Sequence, residues 1–129
     1  MFRDLKNNLK SAATLAPAAR TTVATGSEVS ILNEVAVAFH VVPGTVTDGV
    51  WTPKAQHRDE STDDWADCTA DELEGSFANL ATGVHQLVGY KGTKKNVRGI
   101  VTPVGSPAPS TGAVFGFNIL SKPDVRPAA

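Results

Sequence analysis

The sequence predicts an all-β protein, an antiparallel β-sandwich of about eight strands, and the prediction depends on composition and on strand spacing. The 129 residues include 11 glycines and 8 prolines, with 41% hydrophobic and 19% charged residues. A chain of this length forms about one domain, and its many turn residues favour short strands. No long helices alternate with the strands, which argues against a parallel α/β fold. A jelly roll is one form of sandwich that fits this count.

Residues 1–17 are predicted to form an arm outside the sandwich. Phe2, Leu5 and Leu9 recur at spacings of three and four with polar residues between them, a pattern typical of a short amphipathic helix or arm that runs to Leu15. Pro17 ends the segment because it disfavours helix at the preceding residue and has no amide hydrogen to donate. The arm would either lie on its own domain or dock on a partner.

Residues 18–120 are predicted to form the sandwich, beginning with a hairpin around Thr25-Gly26-Ser27. Asn33-Glu34 is predicted to separate this hairpin from the next strand. Val35–Val42 is apolar on both faces except at His40, which indicates a central strand covered on both sides or lying in an oligomer contact.

Residues 47–68 are predicted to form one hairpin with a tryptophan on each arm. Asp48-Gly49 is a turn dipeptide, Trp51–Arg58 alternates as a strand, Asp59–Asp63 is an acidic reversal, and Asp64–Cys68 returns. The hairpin therefore supplies two strands and an acidic loop.

The rest of the chain contains one helical signal and three more strands. Thr69-Ala70-Asp71-Glu72 matches the capping-box pattern that begins a short helix. The predicted strands are Val84–Tyr90, Asn96–Val104 and Ala113–Leu120, and the first two are predicted to form a hairpin with a turn at Lys91-Gly92-Thr93. Residues 121–129 are predicted to be an extended tail, since they contain two prolines and no apolar pattern.

Charge and cysteine content argue against several classes of partner and site. A net charge of -1 makes neither nucleic acid nor an acidic membrane surface an expected partner. A single cysteine, Cys68, excludes an intrachain disulfide and a zinc site built from several cysteines. The apolar runs are too short for a transmembrane helix, and no apolar signal core follows the first charged residues.

The residues also predict no enzyme and no cofactor. His40, His57 and His85 lack metal-ligand spacing, and we expect His57 to be a surface residue. Cys68 has no base nearby in the sequence, and no nucleophile elbow or phosphate-binding glycine loop is present. The segment Asp59–Glu74 carries eight acids and no base, which predicts a solvated acidic rim, with calcium binding as the alternative.

Two charge patches are predicted to meet across a subunit boundary, where complementary charges fix register and orientation. The acidic patch consists of Asp59, Glu60, Asp63 and Asp64. The basic patch consists of Lys91, Lys94, Lys95 and Arg98.

Three aromatic residues, Trp51, Trp65 and Tyr90, have two interpretations. The tryptophans are predicted to lie in the core or in an interface, because paired exposed tryptophans are costly unless they are used. The alternative is that the three rings stack on a sugar.

The order of these segments resembles that of capsid decoration, or cement, proteins, small head proteins of tailed bacteriophages encoded near the major capsid protein. The resemblance spans most of the chain, and it is carried by MFRDLKNNL, TDGVWTPKAQ, DWADC, DELEGSF and VHQLVGYKGTKKNVRGIV. Similar sequences carry a glycine in the reversal before the second aromatic residue. Here the reversal reads Ser61-Thr62-Asp63-Asp64, so we expect a longer loop.

The resemblance implies a structural virion protein on the capsid surface, made in the bacterial host cytoplasm. It would clamp neighbouring major capsid subunits as a homotrimer, without nucleic-acid or membrane partners. The residues expected to contact the capsid or another protomer are those of the arm and the two charge patches: Phe2, Leu5, Leu9, Lys91, Lys94, Lys95, Arg98, Asp59, Glu60, Asp63 and Asp64. Two alternatives stay open: a carbohydrate-binding adsorption module that uses Trp51, Trp65 and Tyr90, and a head-tail joining or tail component.

Overall fold

The protein is a β-sandwich of two antiparallel sheets. The computed structural model describes residues 9–32, 34–47, 49–104 and 112–123. The strands of the described residues are β1 (Lys10–Arg20), β2 (Ala24–Thr25), β3 (Val29–Ser30), β4 (Glu34–Val46), β5 (Val50–Arg58), β6 (Ala66–Asp67), β7 (Leu73–Glu74), β8 (Gln86–Tyr90), β9 (Asn96–Val104) and β10 (Ala113–Pro123). Sheet A has the order β1-β10-β4-β8-β7, and sheet B has the order β2-β9-β5-β6, with β3 also paired to β9. The predicted all-β sandwich is confirmed.

Strand β4 is the middle strand of sheet A, which confirms the predicted central strand. It pairs with β10 on one side and β8 on the other. Phe39 and Val41 point inward and are fully buried, whereas Ala36 is exposed and His40 is half-buried. Among the described residues, the inner face of this apolar strand is therefore fully covered and the outer face is not.

Phe117 of β10 connects the two sheets at the centre of the core. Its ring centroid lies 6.1 Å from that of Phe39 and 5.8 Å from that of Phe77. A Cβ atom at Gly99 of β9 would lie 2.8 Å from the Phe117 ring, so the ring packs directly on the backbone of sheet B. The glycine is required here by close approach between the sheets.

Thr14 forms a second link between the sheets. It is buried in β1, and its hydroxyl donates to the Ser27 carbonyl at 2.7 Å and accepts from the Gly99 amide at 3.1 Å. The Ser27 amide returns a hydrogen bond of 2.7 Å to the Thr14 carbonyl. Strand β1 is thereby fixed to the β2–β3 connection and to β9.

The predicted helix or arm is wrong for residues 10–17, because these residues belong to β1. The amphipathic pattern is overridden by pairing with β10, which buries Leu15. Pro17 lies at a register shift between Leu15 and Ala18 on the edge of the sheet, where a strand tolerates the missing donor. Phe2 and Leu5 lie outside the described residues.

Two predicted hairpins are also wrong. Strands β2 and β3 do not pair with each other around Thr25-Gly26-Ser27 but each pair with β9. The turn at Lys91-Gly92-Thr93 carries the chain from β8 in sheet A to β9 in sheet B. At the other end of the chain, β10 continues through Pro123, so the tail does not begin at residue 121.

The hairpin around the acidic reversal and the capping box are both confirmed. Strand β6 pairs with β5 at Gln56 and His57, and the loop between these strands spans residues 59–65. The capping box encloses one 3₁₀ turn, Ala70–Glu72, in which the Thr69 amide donates to Glu72 Oε1 at 3.0 Å. The helical signal ends after that turn because the next residues form β7.

We predict that Gly99→Ala destabilises the fold by about 1–3 kcal/mol, because the added methyl group overlaps the buried Phe117 ring. Gly44→Ala is the matched control, since its Cβ would lie 3.4 Å from the nearest atoms of Val114. We expect the control to change stability by no more than about 0.5 kcal/mol. Urea denaturation measures both changes, and equal midpoints for the two variants would contradict the packing account.

Candidate interaction site

The outward side of sheet B carries a group of polar side chains that contact one another, although Val50 at the start of β5 is exposed on the same side. Gln56 Nε2 donates to Asp67 Oδ1 at 2.7 Å, and the same glutamine accepts two hydrogen bonds from Arg98 at 2.7 and 2.9 Å. Arg58 pairs with Glu28 at 2.7 Å. Sheet B therefore presents the solvated face that is typical of an antiparallel sheet.

The outward side of sheet A is apolar over a continuous area. The register places Ala38 of β4 beside Leu120 of β10, and His40 beside Leu87 of β8. Leu87 is 65% exposed and Leu9 is 40% exposed. These side chains line a shallow trough of about 280 Å³. We call this surface the apolar face, and it consists of Leu9, Ala36, Ala38, Leu87 and Leu120.

A second depression of about 360 Å³, the end pocket, adjoins the apolar face. It lies between the β3–β4 connection and the β8–β9 loop, and it shares Ala36 and Val37 with the trough. Its other lining residues are Ile31, Leu32, Glu34, Tyr90, Gly92, Thr93, Lys94 and Lys95. The trough and the pocket together form one groove with an apolar and a polar end.

Glu34 is the distinctive polar residue of the end pocket. Its side chain is 7% exposed, and Oε1 lies 3.4 Å from Lys10 Nζ. Oε2 is buried and has no hydrogen-bond partner in the part of the chain that the structure describes. A buried carboxylate oxygen without a donor is costly, so this atom favours a cationic or hydrogen-bond-donating ligand.

A pair of histidines flanks the apolar face. The ring centroids of His40 and His85 lie 5.3 Å apart. Burial and the neighbouring His85 lower the pKa of His40. This environment favours the neutral form of His40 beside the apolar face.

A buried polar network that the sequence patterns did not predict joins the inner faces of the two sheets. His57 is 4% exposed rather than on the surface, because the alternation of β5 turns it inward with Trp51 and Ala55. Its Nδ1 lies 2.8 Å from the Tyr90 hydroxyl, and its Nε2 lies 3.4 Å from Glu72 Oε2. Alternation along β5 was the available signal for this inward position.

The thiol of Cys68 is subject to the charge of Glu72 in this network and is poorly suited to nucleophilic chemistry. Burial, aided by the carboxylates of Glu72 and Asp67, raises its pKa to about 12. The thiol is therefore protonated near neutral pH, and the thiolate is the form that attacks. Within residues 9–32, 34–47, 49–104 and 112–123, no three His, Cys, Asp or Glu side chains are grouped to hold a metal ion.

The three aromatic residues considered for sugar stacking lie in different environments. Trp51 is fully buried beside Phe115, which confirms the core prediction and removes Trp51 as a stacking surface. The guanidinium carbons of Arg58 and Arg98 lie 4.3 and 4.4 Å from the Trp65 ring centroid. Tyr90 is half-buried with its hydroxyl bound to His57. The sugar-stacking arrangement is wrong for Trp51, and the three rings share no exposed face.

The two charge patches contact each other within the chain. Lys94 Nζ lies 3.3 Å from Asp59 Oδ2, and Lys95 Nζ lies 3.1 Å from Glu60 Oε1. Asp63 Oδ2 accepts from the Glu60 amide at 3.0 Å, which closes the acidic reversal. These charges already have intrachain partners, so they do not depend on a second subunit for pairing. Asp64 and Lys91 are exposed, and a partner contact at either stays a prediction.

Comparison of this chain with protein-family models, with curated proteins and with solved structures found no match. In the described ranges, no helix has the length and apolar character needed to cross a membrane.

We predict that iodoacetamide alkylates Cys68 about a hundredfold more slowly in the folded chain than in urea at pH 8, because its raised pKa leaves little thiolate. The single cysteine makes mass spectrometry an unambiguous readout. Equal rates in the folded and unfolded chains would contradict a protonated, half-buried thiol.

Proposed function

We propose that this chain is a structural, non-enzymatic virion protein that binds the outer surface of an icosahedral bacteriophage capsid. In this proposal it clamps neighbouring major capsid subunits and so stabilises the head. The partner is suggested by the resemblance of the segment order to that of capsid decoration proteins. The mode of binding is suggested by the difference between the two outer faces of the sandwich.

The apolar face is the observation that carries the proposal. Contiguous apolar patches are uncommon on monomeric soluble proteins and are typical of interaction sites. Leu87 and Leu9 are exposed on the apolar face. On sheet B, by contrast, the outward side chains of Gln56, Asp67 and Arg98 hydrogen-bond to one another. Burying a leucine side chain contributes about 1.5–3 kcal/mol, so a partner that covers this face gains appreciable affinity.

The mechanism is mass action. A protein that binds the assembled shell, and not its separated subunits, stabilises the shell by its binding free energy. A homotrimer, as the resemblance implies, would present three apolar faces and gain avidity when they bind together.

The alternative of a carbohydrate-binding module receives no support from the aromatic residues, since Trp51 is buried and Trp65 is covered by two arginines. A head-tail joining protein would use the same apolar face, and copy number distinguishes it. A joining ring holds few copies per particle, whereas a cement protein occupies equivalent positions over the whole shell.

We predict that the purified protein co-sediments with shells assembled from the major capsid protein encoded beside it. Leu87→Lys should weaken this binding at least about tenfold, because it places a charge where the partner would bury an exposed leucine. Val23→Lys is the matched control, since Val23 is 53% exposed on the β1–β2 connection away from sheet A's outer side. We expect it to bind like the wild type.

A cooperative thermal unfolding transition for each variant would show that both are folded. Failure of the wild-type protein to bind any shell would contradict the proposed function. Binding of Leu87→Lys at wild-type strength would contradict the assignment of the apolar face.

A further inference from the structure

We propose that the end pocket binds a lysine or arginine side chain of a partner segment whose apolar residues lie in the adjoining trough. The identification of that partner as a capsid subunit rests on the proposed function. The chemistry of the pocket does not, because it follows from the residues that line it.

The charge of the ligand is indicated by Glu34. Its side chain is more than nine-tenths buried, it lines the pocket, and Oε2 has no partner among the described residues. The contact with Lys10 Nζ engages only Oε1, at 3.4 Å. A partly desolvated carboxylate gains most from a cation that donates hydrogen bonds to the oxygen left unpaired.

The other charged groups of the pocket and the Tyr90 hydroxyl are already engaged. Lys94 pairs with Asp59 and Lys95 with Glu60, which neutralises the two ammonium groups at the rim. The Tyr90 hydroxyl contacts His57 Nδ1 and accepts from the Lys94 amide at 3.2 Å. An anionic ligand would therefore have to displace existing ion pairs, whereas a cation meets an unpaired acceptor.

The walls of the pocket suit the stem of a long basic side chain. Ile31, Leu32, Ala36 and Val37 provide aliphatic surface on the approach to Glu34. Lysine and arginine bury their methylene groups against such surface while the charged end reaches a polar partner.

The groove selects a sequence pattern in the partner as well as a charge. Because Ala36 and Val37 line both depressions, a side chain in the pocket and its apolar neighbours in the trough would lie on one continuous surface. The expected segment therefore places a basic residue beside large apolar residues. The chain's own residues 2–5, Phe-Arg-Asp-Leu, have this pattern and are the competing occupant.

The test titrates the full chain with two peptides, N-acetyl-Phe-Arg-amide and its neutral analogue N-acetyl-Phe-citrulline-amide. Methyl chemical shifts of Ala36 and Val37 report binding. We expect the arginine peptide to bind at least about tenfold more tightly than the citrulline peptide, because citrulline has lost the charge that pairs with Glu34. Equal affinities, or no shift at either methyl position, would overturn the proposal.

Two variants and one control locate the effect. Glu34→Gln should remove the preference for arginine, whereas Glu74→Gln, an exposed acid on β7 of the same sheet, should keep it. Ala36→Trp should block both peptides by filling the shared wall, without any change of charge. Retention of the preference in Glu34→Gln, or unchanged binding to Ala36→Trp, would overturn the assignment of the pocket.

Deletion of residues 1–8 tests the competing occupant. Equal affinity of the deleted and full chains for the arginine peptide supports a pocket open to a partner. If the deleted chain binds the arginine peptide and the full chain does not, the pocket belongs to the chain's own N-terminal segment and the proposal is overturned.

Shell binding separates this inference from the proposed function. If Glu34→Gln and Ala36→Trp bind shells like the wild type while Leu87→Lys does not, a capsid segment does not use the pocket. The identification of the pocket's partner as a capsid subunit is then overturned, and the proposed function stands. If the wild type does not bind shells but binds the arginine peptide more tightly than the citrulline peptide, the pocket assignment stands and the proposed function fails.

Discussion

The contact between the Phe117 ring and the Gly99 backbone is the constraint on which the two faces of sheet A depend. The ring has room only because Gly99 lacks a Cβ atom, and it joins β10 to β9 across the core. Side chains alternate along a strand, so an inward Phe117 also fixes Phe115 and Ile119 inward and Leu120 outward. Pairing with β4 then places Ala38 beside Leu120 on the outer side. The apolar face is thus a consequence of core register.

Most of the polar side chains discussed above pair with other side chains of the same chain, whereas the apolar face is exposed. His57, Tyr90 and Glu72 connect the sheets, Arg58 and Arg98 cover Trp65, and the lysines beyond β8 pair with the acidic reversal. Among the described residues, Glu34 Oε2 and Arg20 Nε are buried polar atoms without a hydrogen-bond partner, and the leucines of the apolar face are exposed. This distribution supports the proposed role of the apolar face as a binding surface.

Local patterns in the sequence predicted strands well and their pairing poorly. The alternation of β5, the capping box at Thr69 and the apolar run of β4 are properties of neighbouring residues, so they could be read directly. The pairing of β1 with β10 joins segments about a hundred residues apart, and no local pattern encodes it. Leu9 was a candidate contact and lies on the apolar face. Glu34 was missed because Asn33-Glu34 indicated only a break, while its burial depends on distant residues.

The orientation of the sandwich on the particle tests the central claim most directly. A cryo-electron microscopy reconstruction of shells carrying this protein, at a resolution that separates the two sheets, reports which side faces the capsid. The account predicts that the outer side of sheet A, with Leu87 and Leu120, lies against capsid subunits while sheet B faces solvent. A reconstruction in which sheet B contacts the shell and the apolar face is open to solvent would contradict it.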